Sequence, residues 1–466
     1  MIHCYKLFDY YIVLDSASGS IHKVDDVSYD AICLYEKEGY ERARQQIAES
    51  YPDLSDGDIS GLFAEILQLE SQGRLFSRDE FGKVAEQPRQ NPLKALCLNV
   101  SHMCNMRCSY CFAGSGDYGG EEKLMTLDTG RRAIDFLIEN SGERLTLDVD
   151  FFGGEPLLNW DVVKQIVHYA RSRELETGKK FRFTLTTNCL LIDDDVIEFT
   201  NLHMHNVVLS LDGRPEVNDA VRKLPGGATQ GGNVGKHRDG SYSLIVPKIK
   251  ALVEARGGKG YYIRSTFTRD NLDFTSDIQH IADLGFTELS MEPAVAKQGA
   301  PQALKKSDLP ELFRQYELLA AEMLRRNKEG RGFTFYHYKL DLAGGPCVYK
   351  RIAGCGVGSE YLAVTPDGTL YPCHQFVGDE SFKMGDILRG LINRRLRDEF
   401  AGCGIYSRES CKNCWARMYC SGGCAANAYY AAGSIDSVHE LGCELFKKRM
   451  ECAIVLKVAE ALQKTS

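Results

Sequence analysis

Three cysteines, Cys104, Cys108 and Cys111, stand close together directly after an apolar run at residues 96–100. Thiols this close cannot satisfy one another by forming disulfides, but as thiolates they can bind three irons of a cubane [4Fe–4S] cluster. Such a cysteine trio leaves the fourth iron without a protein ligand, and an open position makes a metal site catalytic rather than structural. The alternatives are a three-cysteine zinc site and a chance occurrence.

A second group of cysteines lies near the C-terminus. Of the 17 cysteines in the chain, nine fall between positions 347 and 443. They are Cys347, Cys355, Cys373, Cys403, Cys411, Cys414, Cys420, Cys424 and Cys443. Because CxxC pairs often bind zinc, a zinc ribbon is one interpretation. Eight or nine cysteines with no histidine in register divide instead into two sets of four thiolates.

Composition narrows the class of protein. The chain has 466 residues, of which 44% are hydrophobic and 26% charged. These values fit about three folded domains and rule out wholesale disorder. The net charge of -8 argues against a general nucleic-acid binder but is compatible with a basic peptide as partner.

The compartment bears on the cysteines. No apolar run approaches the roughly 18 residues needed to span a bilayer, and the N-terminus lacks the pattern of a secretory signal. We therefore expect a cytoplasmic protein without a membrane partner. Disulfides are rare in the cytoplasm, so dense cysteine indicates metal or redox chemistry. The scattered cysteines are expected to be small buried hydrophobes, namely Cys4, Cys33, Cys97, Cys189 and Cys452.

The first 85 residues predict a small unit of two strands followed by three helices. Apolar runs at 10–14 and 20–24 flank a turn, and apolar residues then recur at helical spacing in three stretches. Two strands and three helices fit a winged-helix plan. Residues 85–92 are polar with two prolines and predict a linker.

The middle of the chain, residues 93–305, alternates strands with helix-like segments such as 132–138 and 162–170. The strands are expected at 96–100, 145–151, 181–185, 207–211, 261–267 and 288–292. This alternation predicts an α/β fold with a parallel sheet, and six units predict a partial (β/α)6 barrel. A glycine-rich insertion at 224–240 interrupts it. Two helical stretches are expected in a bridge at 306–345, before a cysteine-rich domain at 346–466 in which metal replaces a hydrophobic core.

The cysteine trio, with Tyr110 before its last member, resembles the signature of the radical S-adenosylmethionine (SAM) superfamily. A Gly-Gly-Glu-Pro sequence follows the second strand in that superfamily, and here Gly153, Gly154, Glu155 and Pro156 follow it. The resemblance implies that SAM binds the open iron, and that one electron splits it into methionine and a 5′-deoxyadenosyl radical. That radical takes a hydrogen from the substrate while the protein binds, orients and excludes water.

The same resemblance implies how SAM is held. Glu155 would accept a hydrogen bond from the ammonium group, and Ser210 and Asp212 would bind the ribose hydroxyls. Arg264 would pair with the carboxylate, its alternative being a structural ion pair, and Met291 would lie near the adenine. The other expected cofactor contacts are Tyr110, Phe112, Gly153, Gly154, Pro156, Thr187 and Asn188.

The C-terminal cysteines resemble the SPASM extension of radical SAM peptide maturases, which holds two auxiliary [4Fe–4S] clusters. The resemblance implies that cluster I takes Cys347, Cys355, Cys373 and Cys424. Cluster II would take Cys411, Cys414, Cys420 and Cys443. If Cys347 is not a ligand, cluster I has an open iron that could bind a substrate thiolate. Cys403 is left over and is expected to be structural.

The N-terminal unit resembles a RiPP recognition element, which binds the leader of a ribosomal precursor peptide by strand addition. Residues 11–14, or the helix after Val27, would line the groove; the alternative is a DNA-binding wing. Residues 12–26, 346–350 and 371–376 are similar to the SCIFF maturases, which form thioether crosslinks in cysteine-rich precursor peptides. Sulfatase maturases share the cluster motifs, but carry aspartate where this chain has His374 and lack the N-terminal unit.

We therefore expect a three-cluster radical SAM enzyme that joins a cysteine sulfur to a carbon of a precursor peptide. His374, or an acidic residue at the barrel mouth, is the candidate proton acceptor. An electron donor such as flavodoxin or ferredoxin would reduce the cluster. Alternatives are carbon–carbon or carbon–oxygen crosslinking, epimerisation, sulfatase maturation, and a non-catalytic zinc-ribbon scaffold that binds peptides.

Overall fold

The computed structural model describes residues 1–85, 92–225, 240–295, 299–342, 351–352 and 354–465. The strands in this part of the chain are β1 Ile2–Leu7, β2 Tyr10–Asp15, β3 Ile21–Val24, β4 Ala95–Ser101, β5 Arg107–Cys108, β6 Thr146–Gly153, β7 Lys180–Thr187, β8 Asn206–Ser210, β9 Arg222–Lys223, β10 Tyr261–Phe267, β11 Glu288–Pro293, β12 Thr334–Phe335, β13 Tyr361–Val364, β14 Thr369–Tyr371, β15 Gly385–Asp386 and β16 Gly390–Leu391.

The helices in the same residues are α1 Asp26–Glu38, α2 Tyr40–Ser50, α3 Asp56–Ser71, α4 Gly82–Ala85, α5 Leu127–Asn140, α6 Trp160–Thr177, α7 Asp194–His203, α8 Pro215–Val221, α9 Ser241–Ala255, α10 Phe274–Asp283, α11 Leu309–Lys328, α12 Arg394–Gly402, α13 Glu409–Lys412, α14 Arg417–Cys420, α15 Ala425–Ala432 and α16 Glu440–Thr465. Within the described ranges, no helix is long and apolar enough to cross a membrane.

The N-terminal unit packs a three-stranded antiparallel sheet, in the order β1-β2-β3, against α1, α2 and α3. Its core includes the fully buried Val13, Ile47 and Phe63. The two expected strands are confirmed, but β1 had been missed because His3 and Lys6 interrupt its apolar pattern. Residues 11–14 were expected to line a groove that binds a peptide by strand addition. They cannot accept an added strand, because they belong to β2, which is the central strand and already pairs with β1 and β3.

The six strands expected in the middle of the chain are confirmed. β4, β6, β7, β8, β10 and β11 run parallel and lie side by side in sequence order. The expected helical segments at 132–138 and 162–170 lie within α5 and α6. Leu145 and Leu211 fall just outside the strands, and the glycine-rich residues 226–239 lie outside the described ranges. Because parallel strands share their carboxyl ends, the polar residues after them meet at one edge of the sheet.

The C-terminal region continues this sheet instead of forming a separate layer. β13 pairs parallel to β4, and β14, β15 and β16 extend the sheet as antiparallel strands. In the bridge residues that the structure describes, 306–342, α11 is the only α-helix, and the second expected helical stretch is replaced by β12 and a short 3-10 turn at Tyr336–Tyr338. α16 was also not foreseen, since it is buried on several sides at 452–456 and so lacks an amphipathic pattern.

α16 also joins the N-terminal unit to the rest of the molecule. The Tyr5 hydroxyl donates to the carbonyl of Glu451 on this helix at 3.0 Å. The imidazole of His3 stacks on Trp415 with the ring centroids 3.8 Å apart. Arg417 in α14 forms a 2.6 Å ion pair with Asp79. These contacts fix the unit beside the cysteine-rich region. Residues 86–91 of the expected linker lie outside the described residues.

Candidate active site

The cysteine trio lies in the loop between β4 and the first turns beyond β5. Hydrogen-bond donors face its sulfurs: the backbone N–H of Met106 lies 3.4 Å from Cys104 Sγ, and Asn188 Nδ2 lies 3.7 Å away. Burial raises the pKa of Cys104 to about 11 and of Cys108 to about 12, so without metal these thiols are neutral. A metal would release their protons and turn them into thiolates. The donors already present suit thiolate sulfur, and the trio therefore fits an iron–sulfur cluster.

Gly153 and Gly154 pack against the backbone of the loop that carries the trio. The backbone N–H of Gly154 donates to the carbonyl of Ser101 at 2.7 Å, and that of Glu155 donates to the carbonyl of Met103 at 2.8 Å. A Cβ on either glycine would overlap those carbonyl oxygens, and Gly153 also has a φ of 129°. Both positions thus require glycine because the backbone that carries Cys104 passes directly over them.

Glu155 connects three segments around the cavity. Its carboxylate, in a residue only 1% exposed, accepts bonds from the N–H of Leu157 at 3.0 Å, the hydroxyl of Thr187 at 2.8 Å and the N–H of Asn188 at 2.7 Å. Burial outweighs these bonds and raises its pKa to about 7. Three of its roughly four acceptor positions are filled. One remains for a ligand such as the SAM ammonium.

Asp212 is completely buried and held by protein donors. Its Oδ2 accepts from the Tyr110 hydroxyl at 2.6 Å and Arg222 Nε at 2.9 Å. Its Oδ1 accepts from Arg222 Nη2 at 3.2 Å and the N–H of Thr266 at 2.9 Å. A ribose hydroxyl would have to replace one of these bonds, so ribose binding by Asp212 stays a prediction. Arg222 had not been identified from the sequence, because nothing in the residue spacing marks it.

A cavity of about 420 Å³ joins the cysteine trio to the C-terminal cysteines. We call it the active-site cavity. The predicted site residues that line it are Cys104, Cys108, Tyr110, Cys111, Phe112, Gly153, Gly154, Glu155, Thr187, Asn188, Ser210, Arg264, His374, Cys420, Cys424 and Cys443. Pro156, Asp212 and Met291 are buried beside it and do not line it. Met291, 1% exposed, packs in the sheet core, so its assignment to the adenine has no support from its position.

The wall of the cavity between the two cysteine regions carries His374 and Arg264. The imidazole of His374 lies 4.8 Å from the ring of Phe152 and 5.5 Å from that of Phe112, between centroids. Burial, and then Arg264, lower its pKa to about 3, so this imidazole is neutral at pH 7. Arg264 Nη2 lies 3.8 Å from Glu292 Oε2. This long contact leaves the guanidinium with donors for a bound carboxylate.

The described C-terminal cysteines form two neighbourhoods. Burial, and then the nearby thiols of Cys443, Cys411 and Cys414, raise the pKa of Cys420 to about 12. Burial, followed by the thiols of Cys424 and Cys355, raises the pKa of Cys373. The thiols that lie near one another are thus described members of the same expected ligand set, and their binding of two clusters stays a prediction.

Cys347 lies outside the described residues, so its ligation stays a prediction. In the ranges that the structure covers, no three His, Cys, Asp or Glu side chains converge as ligands of one metal ion. Of the scattered cysteines, Cys97, Cys189 and Cys452 are buried as expected, while Cys4 and Cys33 are half-buried.

Comparison with known protein families identifies two domains. Residues 98–230 match the model of the radical SAM superfamily, and residues 355–415 match that of SPASM, an iron–sulfur cluster-binding domain. The chain therefore carries a radical SAM domain and a SPASM domain in a mixed α/β fold. Domains of these two kinds imply [4Fe–4S] clusters and SAM as cofactors.

Similar proteins cover most of the chain. The radical SAM cyclopropyl synthase TigE of Paramaledivibacter caminithermalis is 22% identical over 93% of this chain and 90% of its own length. A cysteine-type anaerobic sulfatase-maturating enzyme of Clostridium novyi is 24% identical over 77% and 94%. The solved structure of native anSMEcpe with bound AdoMet and the Cp18Cys peptide superposes with a TM-score of 0.62 at 20% identity, covering 80% of this chain and 99% of that one. This last likeness concerns the fold alone.

Proposed function

We propose that this protein is a radical SAM peptide maturase that joins a cysteine sulfur to a carbon of a ribosomal precursor peptide. The observation that carries the proposal is the active-site cavity, which runs from the cysteine trio to Cys420, Cys424 and Cys443. A substrate in this cavity can meet the radical source and an auxiliary cluster at once. The cofactors would be SAM and three [4Fe–4S] clusters. When bound, SAM and the trio's cluster supply a carbon radical that abstracts hydrogen.

The residues of the chain would bind and orient the reactants. Glu155 has one acceptor position for the SAM ammonium, and Arg264 presents donors to its carboxylate. Phe112 and Phe152 form an apolar wall with the neutral His374, which excludes water from the reacting carbon. His374 and Glu292 both line the cavity and lie within reach of a bound substrate. Their lowered pKa values, about 3 for His374, make each a weak acceptor for the substrate thiol proton unless bound SAM and substrate change these pKa values.

The N-terminal unit would hold the leader of the peptide, as a RiPP recognition element does. The edge strand β3 is suited to this because, in the described residues, it pairs with β2 alone. The opposite edge, β1, is occupied by contacts with α16 such as that of Tyr5 with Glu451. Strand addition at β3 would give main-chain hydrogen bonds with little sequence demand. Deleting the leader from the peptide should therefore raise KM more than it lowers kcat.

Metal content tests the cofactor assignment first. Anaerobically reconstituted protein should contain about twelve irons per chain, with matching sulfide, and should cleave SAM when dithionite is added. Replacing all three cysteines of the trio with alanine should abolish this cleavage. The pair C411A and C414A should lose about four irons and retain some cleavage that is uncoupled from product. Zinc without iron would support the scaffold alternative and overturn the proposal.

Product analysis tests the reaction. The probe is a synthetic cysteine-rich precursor peptide with its leader, treated with enzyme, SAM and dithionite. Each thioether removes two hydrogens and makes one cysteine unreactive toward iodoacetamide. Epimerisation would instead leave the peptide mass unchanged in ordinary water and would incorporate deuterium when the reaction is run in deuterated water.

Carbon–carbon bond formation is a second candidate function. It is favoured by the likeness to a cyclopropyl synthase, which extends over 93% of this chain and so includes residues beyond the two matched domains. A carbon–carbon product also loses two hydrogens but keeps every cysteine reactive toward iodoacetamide. Counting alkylated cysteines in the product therefore separates this candidate from thioether formation.

A further inference from the structure

Arg222 is fixed to the cysteine trio through the backbone. β9 pairs antiparallel with β5, and in this ribbon Arg222 stands directly opposite Cys108. The N–H of Ser109 donates to the carbonyl of Val221 at 2.9 Å, and the Ser241 hydroxyl donates to the carbonyl of Arg222 at 2.7 Å. The Cα of the arginine is thereby held next to a metal-ligating position.

The guanidinium is equally constrained. Its side chain is 8% exposed, and Nε and Nη2 form a two-pronged ion pair with the fully buried Asp212. The remaining nitrogen, Nη1, lies 4.0 Å from Cys108 Sγ. The same cation lies 5.7 Å from the centroid of the Tyr110 ring, whose hydroxyl binds Asp212. One edge of the guanidinium therefore faces a carboxylate and another faces the sulfur of a cluster ligand.

This arrangement has an electrostatic consequence for a cluster at the trio. A cluster held by thiolates gains negative charge when it is reduced, and nearby positive charge and N–H donors to its sulfurs favour the reduced form. Asp212 partly cancels the charge of Arg222. It binds the Nε and Nη2 side of the guanidinium, whereas Nη1 faces Cys108, so the positive charge lies nearer to the sulfur than the negative charge does. In a buried site the nearer charge dominates, because the interaction weakens with distance and is poorly screened.

We propose that Arg222 is a positioning residue of the trio, which acts through Cys108 to raise the reduction potential of the SAM-binding cluster. Asp212 and Tyr110 hold the guanidinium in the required orientation. Reduction of this cluster starts the chemistry, so Arg222 would set how readily a physiological donor can deliver its electron. The inference rests on the cluster assignment made above.

The test is a redox titration followed by electron paramagnetic resonance. In the wild-type protein, the signal that changes when SAM is added identifies the trio's cluster among the reduced clusters, and this signal is then followed in each variant. Arg222→Gln should shift its midpoint to more negative potential. We expect the ratio of reduced to oxidised cluster at a fixed potential to fall on the order of tenfold, which is about 59 mV for one electron.

The opposite change gives a second, independent result. Asp212→Asn removes the counter-charge and leaves the cation, so the midpoint should shift to more positive potential. Arg222→Lys keeps a charge without the two-pronged bond and should fall between Arg222→Gln and the wild type. If Arg222→Gln takes up no cluster, the sign of the shift in Asp212→Asn decides the question, since a general structural defect predicts no particular sign.

A matched control breaks a similar ion pair away from the sulfurs. Arg214 Nε lies 2.8 Å from Oδ1 of the fully buried Asp277, and Arg214 does not line the active-site cavity. Arg214→Gln should destabilise the fold without moving the midpoint. An unchanged midpoint in Arg222→Gln at full iron content, or a negative or absent shift in Asp212→Asn, would overturn the inference. Wild-type protein without iron would instead refute the cluster assignment itself.

Discussion

Replacing Gly154 with alanine would test how the cysteine loop is positioned. The φ of Gly154 does not lie in the left-handed region, so any effect is steric rather than conformational. A Cβ here would lie 2.6 Å from the carbonyl carbon of Met103 and 3.2 Å from the nitrogen of Cys104. Ordinary contact begins at 3.4 Å, and the carbonyl oxygen of Met103 lies nearer to the added Cβ than the carbonyl carbon does, so the loop must move back by at least about 0.8 Å.

The cost can be estimated from this displacement. The 2.8 Å hydrogen bond from the N–H of Glu155 to the carbonyl of Met103 would lengthen beyond bonding range. Losing it costs about 1 kcal/mol, and overpacking adds about 1–3 kcal/mol. We therefore expect the free energy of unfolding to fall by about 2–4 kcal/mol. The displaced Cys104 should also lower the iron content of the reconstituted protein.

The assays are chemical denaturation of the cluster-free protein and iron analysis after anaerobic reconstitution. Gly61→Ala is the matched control, because Gly61 lies inside α3 and has nothing within 4 Å of an added Cβ. It should leave the iron content unchanged and stabilise the protein by about 1 kcal/mol. If Gly154→Ala took up full iron at unchanged stability, the contact with Met103 would not be what places Cys104.

Two further substitutions test other parts of the fold. The carboxylate of Asp79 pairs with the buried Arg417 and accepts a hydrogen bond from the Tyr406 hydroxyl. Asp79→Asn leaves the Arg417 cation without its partner and should lower the free energy of unfolding, measured by chemical denaturation, by about 3 kcal/mol. Burial raises the pKa of Asp150 from 3.8 to about 6. Because the folded pKa of Asp150 lies above the unfolded one, the stability of the wild-type protein falls as pH rises from about 4 through about 6. At pH 8, Asp150→Asn should therefore be more stable than the wild type by up to about 3 kcal/mol. This difference should vanish below about pH 4, and a difference independent of pH would contradict the assignment.

The sequence alone determined the elements whose signals are local. Alternating apolar residues predicted the six parallel strands, because the side-chain period of a strand is visible in any short stretch. The spacing of Cys104, Cys108 and Cys111 indicated the metal chemistry for the same reason, since three ligands on one loop need no other segment. The Gly-Gly-Glu-Pro motif was recognised from its place after the second of these strands.

The tertiary structure decided which distant segments meet. The steric need for glycine at position 154 arises because the backbone of Met103 passes over it, and no pattern near either residue indicates that contact. Arg222 became a candidate only when β9 was seen to pair with β5 opposite Cys108. The joining of the two cysteine regions in one cavity likewise depends on β13 pairing with β4. Such long-range contacts arise from packing of the whole chain, so their information is spread over many residues and no short window of sequence contains it.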